Sequence, residues 1–140
     1  MQPVYSGYTT VLDTSEALRL VNDYRASRGL QPLSLQSNLI VAASALSADM
    51  AKHDHESHSG PNGANLAKRL TAARYNFSLA AENVGAGQKS VTELIEEWKR
   101  IPLASRNMLL PDAKQMGIAY QYRADATLKT YWTLVIASPR

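Results

Sequence analysis

The chain has no cysteine and a single phenylalanine, and all three of its histidines fall within "KHDHESHSGPNG", residues 52 to 63. Without cysteine there is neither a disulfide framework nor a thiol nucleophile, although the compartment stays open because many exported bacterial domains do without cystines. No apolar run approaches the roughly 20 residues needed to cross a bilayer. The opening "MQPVYSGYTT" lacks the charged-then-apolar pattern of a leader, and no repeat or low-complexity block interrupts the chain. Charge of one sign is not concentrated: the formal net charge is +3 and the pI about 9.3, but Lys and Arg are scattered among acids, which argues against a nucleic-acid partner. What remains is an ordinary globular composition, 45% apolar and 19% charged. A single domain of this length buries roughly two-thirds of its unfolded surface.

Hydrophobic spacing places the elements. Asp13 and Glu16 have capping-box spacing ahead of "ALRLVNDYRASRG", in which Ala17, Leu20, Val21 and Tyr24 share a helix face and Gly29 suits a left-handed stop. "QPLS" then turns the chain into a second helix with Leu39, Ala43, Leu46 and Met50 at helical spacing, ending near His53. After a Gly-Pro-Asn-Gly loop at residues 60 to 63, Leu66 and Leu70 mark a short third helix, and "FSLAAENVGAG" reads as strand or extended loop. Ser90 and Glu93 form a second capping box for a helix that Pro102 ends. "QMGIAYQYR" and "KTYWTLVIAS", joined by "ADAT", are strands of a C-terminal hairpin; Trp98 and Trp132 belong to the core, and Tyr120, Tyr122 and Tyr131 are placed to line an open sheet face. Helices first and adjacent strands last favour an α+β domain with an antiparallel sheet. Residues 1–12 form a flexible N-terminal arm and residues 13–140 the domain.

The histidine cluster does not have the spacing of a zinc site. His53 and His55 diverge by about 160° if both are helical, and His55, Glu56 and His58 give H-E-x-H, one residue short of the zincin pattern. Exposed histidines at a fraying helix end are the plainer reading for His53 and His55. His58, just before the glycine loop, is the stronger candidate. Glu82 sits among small apolar residues in "AENVGAG" and needs a partner if buried. His58 can supply it if the two loops meet, either as a structural tie or as a functional site.

Taken in order, "LVNDYRASRGLQPLSLQSNLIVAASALSADMA", "SHSGPNG", "AENVGAG", "EEWKRIPLASRNMLL", "QMGIAYQYR" and "YWTLVIA" make the chain resemble the CAP superfamily: cysteine-rich secretory proteins, antigen 5 and pathogenesis-related 1 proteins. The cysteine-free bacterial type is the nearest match. The resemblance runs from residue 16 onward and includes an opening of Asn22, Arg25, Gly29, Leu30, Pro32 and Leu33. It implies an α+β fold, a three-layer α-β-α sandwich with a central antiparallel sheet. It also implies export, and a cleft lined by two histidines and two acids that in full can bind a divalent ion. Family activities range from proteolysis to lipid or sterol binding.

By this resemblance His58 is the first histidine and Glu82 the first acid. Ile101 stands at the second acid position and Ala104 at the second histidine position, aligned through Asn107 and Leu109, and no histidine follows residue 58. The expected cleft is therefore His58, Glu82, Asn83, Glu97, Ile101 and Ala104, with Asn83 holding the loop through backbone contacts and Glu97 one turn before Ile101. Asp54 or Glu56 would have to swing in to rescue a metal site. No metal or other cofactor is expected, since His58 is the sole family-matched ligand and a catalytic zinc usually needs three. The expectation is a secreted, periplasmic or envelope-associated monomer without a transmembrane segment, the arm serving as a tether left by a removed leader or a lipid-modified cysteine. It would be a non-catalytic module for a lipid, a peptide or an envelope component. The alternatives are a peptidase-like hydrolase using His58 and Glu82, or a lipid-binding module.

Overall fold

The computed structural model describes residues 11–140; residues 1–10, the larger part of the expected arm, lie outside them. Five helices and four strands follow in the order α1 (Thr14–Ala26), β1 (Ser34–Leu35), α2 (Ser37–His53), α3 (Leu66–Ala72), β2 (Phe77–Ala86), α4 (Val91–Lys99), α5 (Pro102–Met108), β3 (Gln115–Tyr122) and β4 (Thr130–Pro139). The sheet runs β1-β3-β4-β2. The three long strands are antiparallel, and the two-residue β1 adds a short parallel ladder at the far edge, so the sheet is mixed. No helix among the described residues is long and apolar enough to cross a membrane.

β4 is central and buried from Thr130 to Ser138, because both its faces are covered. Trp132, Leu134 and Ile136 pack against α1, α4 and α5, while Val135 and Ala137 meet α2 and α3, and Tyr131 meets α2. A period-2 strand exposes alternate residues to opposite layers, which is how a single strand serves both cores. The α2 layer lies unusually near the sheet. A Cβ on Gly117 would fall 2.4 Å from backbone atoms of Leu39 and Ile40, so the position admits no side chain, and the buried Ala42 and Ala43 keep the same interface thin. The buried hydroxyls of Ser47 and Thr133 satisfy one another across it at 2.8 Å.

Three expectations change. Pro102 ends nothing by itself: α4 has stopped at Lys99, and Pro102 occupies the first turn of α5, where its missing N–H costs no helical bond. Tyr131 does not line an open face but is fully buried, with its hydroxyl on Asp54, and Tyr120 stacks on Trp132 at a centroid distance of 4.1 Å. At α1 the capping box is half made: Asp13 accepts the Glu16 N–H at 3.1 Å, but the Glu16 carboxylate pairs with Arg19 at 2.7 Å. The second box does better, since Ser90 accepts the Glu93 N–H and the Glu93 carboxylate reaches back to the Lys89 N–H.

The Asn22 and Arg25 pattern has a structural cause. The Asn22 carboxamide bonds both the N–H and the carbonyl of Leu33, at 2.8 and 2.9 Å, fixing the turn into β1. Arg25, wholly buried, spends its guanidinium on the carbonyls of Gln31, Met108, Leu110 and Ala113. Gly29, at φ +72°, lets the chain double back to make those contacts.

Candidate functional site

The site forms where β2 is the sheet edge and both helical layers overhang it. Glu82 pairs with Val135 and Asn83 with Leu134, so the two neighbours point into opposite layers. Asn83 reaches the α5 side, donating to the Ala104 carbonyl at 3.0 Å and accepting from Asn107 at 2.9 Å. Glu82 reaches the α3 side. There Arg69 places Nη1 2.7 Å from Oε2, an ion pair without an aligned N–H, and donates from Nη2 to Oε1 at 3.0 Å. His58 donates from Nδ1 to the same Oε1 at 3.0 Å.

The pairing is unequal in exposure. The side chains of Glu82 and Arg69 are each 3% exposed, whereas that of His58 is 64% exposed. Glu82 and Arg69 therefore form a buried ion pair, and His58 lies over it as a lid open to solvent. The Glu82 carboxylate on Nδ1 holds the His58 imidazole above its ordinary pKa, against partial desolvation and the Arg69 charge. Because Nδ1 donates its N–H to a carboxylate, Nε2 is the nitrogen left for a ligand. Gly60 makes room for this: a Cβ there would sit 2.9 Å from the Arg69 Cδ. Arg69 also donates to the His58 and Ala42 carbonyls at 3.4 and 3.3 Å, tying the loop to the helical layer beneath.

A cleft of about 150 Å³ opens beside His58. Glu82, Asn83 and Asn107 give it polar atoms; Val84, Trp98, Ile101, Leu103 and Ala104 give it an apolar wall. Two carbonyls on the outer edge of β2 are already capped by side chains, that of Glu82 by Asn107 at 3.3 Å and that of Val84 by Trp98 Nε1 at 3.0 Å. That edge is closed to an added strand here, so a ligand is met by side chains.

Of the expected cleft residues, the structure brings together His58, Glu82, Asn83, Ile101 and Ala104. Glu97 is apart: it does not line the cavity, and its carboxylate accepts from Gln88 Nε2 at 2.8 Å. Asp54 is turned away, its carboxylate accepting from the Thr127 and Leu128 N–H groups and the Tyr131 hydroxyl, which hold it well below the usual carboxylate range. Partial burial pushes Glu56 up, and the nearby Glu97 charge adds to that. His53 donates to the Asp49 carbonyl at the exposed end of α2, and His55 is exposed beyond it.

These residues do not fit a divalent ion. Both Glu82 oxygens face Arg69, one also accepts from His58, and Ala104 contributes only a methyl to the cleft wall. Among the described residues no three His, Cys, Asp or Glu side chains converge as a ligand set. Sequence reasoning missed Arg69, the counter-charge that decides this. Its signal was present: Leu66, Arg69 and Leu70 have i, i+3, i+4 spacing, which puts the cation inside the apolar stripe of α3.

Known proteins support the same architecture. The chain is 27% identical over 105 residues to YkwD, an uncharacterized protein of Bacillus subtilis, covering 75% of this chain and 41% of that one. An extracellular Bacillus anthracis protein containing an SCP domain superposes with a TM-score of 0.79 at 22% identity, over 89% of this chain and 39% of that chain. An outer surface protein of Borrelia burgdorferi gives 0.77 at 15% identity, over 92% of this chain and 97% of that one. The chain thus spans about two-fifths of the two Bacillus proteins and nearly all of the Borrelia one. A sequence profile for the CAP, or cysteine-rich secretory protein, family matches residues 18–136, and with the three-layer fold and the cleft on the page, the chain belongs to that family.

Proposed function

We propose that this CAP domain is an exported bacterial binding module, envelope-associated and non-catalytic, whose cleft recognises a ligand through His58 and the apolar wall beside it. The observation that carries this is the Arg69–Glu82 ion pair at 2.7 Å. It neutralises the one family-matched carboxylate from behind, so Glu82 positions His58 and is not free to hold a cation. The extracellular and outer-surface descriptions of the structural relatives support export.

One observation favours a hydrolase instead. An imidazole with Nδ1 on a carboxylate and Nε2 outward has the geometry of a general base. Two nearby hydroxyls are engaged elsewhere, however: Ser57 accepts from the Ser59 N–H at 2.9 Å, and Ser105 is bonded to the Tyr24 hydroxyl at 2.6 Å. A fluorogenic peptide library and a series of activated esters separate the readings. We expect the same background rate from the wild type and from His58→Ala. Turnover that disappears in both His58→Ala and Glu82→Gln establishes the hydrolase and removes the binding-module reading.

A further inference from the structure

The charges around the cleft say what kind of ligand it takes. Glu82 and Arg69 cancel, both buried, which leaves His58 as the one lining residue with a charge to offer. Its free position is Nε2, since Nδ1 is on Glu82. Two other carboxylates are close enough to act on the loop, Glu56 and Glu97, and His55 lies beyond Glu56; none of the three lines the cavity, and Glu97 is held by Gln88. The opposite wall carries no charge. Ile101 and Leu103 are 43% and 62% exposed, large apolar side chains displayed at the lip with nothing packed over them. A cavity of about 150 Å³ is the size that admits one benzene-like or leucine-sized group.

We infer that the cleft takes an apolar group of side-chain size that ends in a carboxylate, with the carboxylate on His58 Nε2 and the apolar part against Trp98, Ile101 and Leu103. This rests on reading the cleft as a binding site. A charge-assisted hydrogen bond supplies selectivity and the wall supplies burial. The same chemistry comes from two sources, a short free acid or the C-terminal residue of a peptide. For the peptide, an apolar last side chain would fill the cavity and its terminal carboxylate would meet the imidazolium.

The test uses the isotope-labelled full chain at pH 6, titrated by NMR with hexanoate, hexanol and hexylamine, and with acetyl-alanyl-leucine as free acid and as amide. Hexanoate is expected to bind about tenfold or more tightly than hexanol, the worth of one charge-assisted hydrogen bond, with shifts at His58, Trp98 and Leu103. His58→Gln, at an exposed position, is expected to fold and to lose that preference. Leu103→Ser should weaken acid and alcohol alike by a few fold. A preference for the free-acid peptide over its amide, larger than that for hexanoate over hexanol, identifies a peptide C-terminus as the source; the reverse identifies a free acid. Equal binding of alcohol and acid, tighter binding of the amine, a preference that survives His58→Gln, or no cleft shifts with any probe overturns the inference. Charge-blind binding at the cleft would leave the binding-module reading standing, whereas His58-dependent turnover would remove that reading instead.

Discussion

Two buried arginines divide the molecule. Arg25 meets only backbone carbonyls, from the turn after α1 and from the end of α5 and the segment after it, and no acid lies among its partners. Arg69 meets carbonyls too, but its main partner is the Glu82 carboxylate, which in turn holds His58 at the solvent boundary. Both cations are 3% exposed or less. The first closes a network that nothing outside can enter. The second ends in an imidazole with one nitrogen free. A buried charge satisfied by carbonyls is architecture, while one satisfied by a carboxylate that is itself shared with an exposed histidine leaves a group for recognition.

The largest effect should come from Arg25→Met. It strips donors from several buried carbonyls at once, and with about 1–3 kcal/mol for each orphaned group the loss should exceed about 4 kcal/mol. Urea unfolding should show that loss with little dependence on pH, because nothing ionisable is left behind, and no single second substitution should restore it.

Arg69→Met should cost somewhat less, about 3–4 kcal/mol near pH 7, because it leaves the Glu82 charge buried with only His58 beside it. Here the comparison sharpens. The loss should shrink on acidification, as protonation of the orphaned carboxyl removes the charge, and Arg69→Met with Glu82→Leu should recover most of it. A pH-independent loss, or no recovery in the double variant, would place Arg69 in the same class as Arg25.

Ala104→His tests the site from the other wall. Ala104 is buried, so enlarging it should cost about 1–3 kcal/mol. With Arg69 still on Glu82, a second imidazole should not by itself give sub-micromolar zinc binding by calorimetry, and tight one-to-one binding in Ala104→His would show that the missing imidazole, not Arg69, excludes the cation. Weakest of all is the contribution of His58 itself. Its folded pKa is raised by Glu82, so the stability it adds is present below the unfolded value of about 6.5 and is lost as pH rises through the folded value. With 64% of the side chain in water, that contribution should stay under about 1 kcal/mol. NMR titration of the ring should give a midpoint above 6.5 in the wild type and a lower one in Glu82→Gln.

Much of the scaffold was legible because its signals are local. The stripe of Leu39, Ala43, Leu46 and Met50, the caps at Asp13 and Ser90, and the alternating strands of the hairpin each predict their element from a few neighbours. β1 and α5 were not legible, since a two-residue strand has no period and Pro102 reads equally as a stop or a start. At the site, His58 and Glu82 stood out as ionisable residues in stretches of small residues, and the resemblance to the family placed Ala104 opposite them. What pairs with Glu82 was hidden, because the partner comes from a third segment. Only the fold shows that Gly60 leaves the path by which Arg69 passes beneath His58. Glu97 misled for the same reason: one helical turn sets its angle about the axis but does not reveal that Gln88 takes its carboxylate.

The central claim is that Arg69 has taken the place a cation would need, so that His58 acts alone. Isothermal titration of the wild-type chain with zinc at neutral pH tests it most directly. The account predicts no stoichiometric heat at sub-micromolar affinity; one-to-one sub-micromolar binding that vanishes in His58→Ala would contradict it.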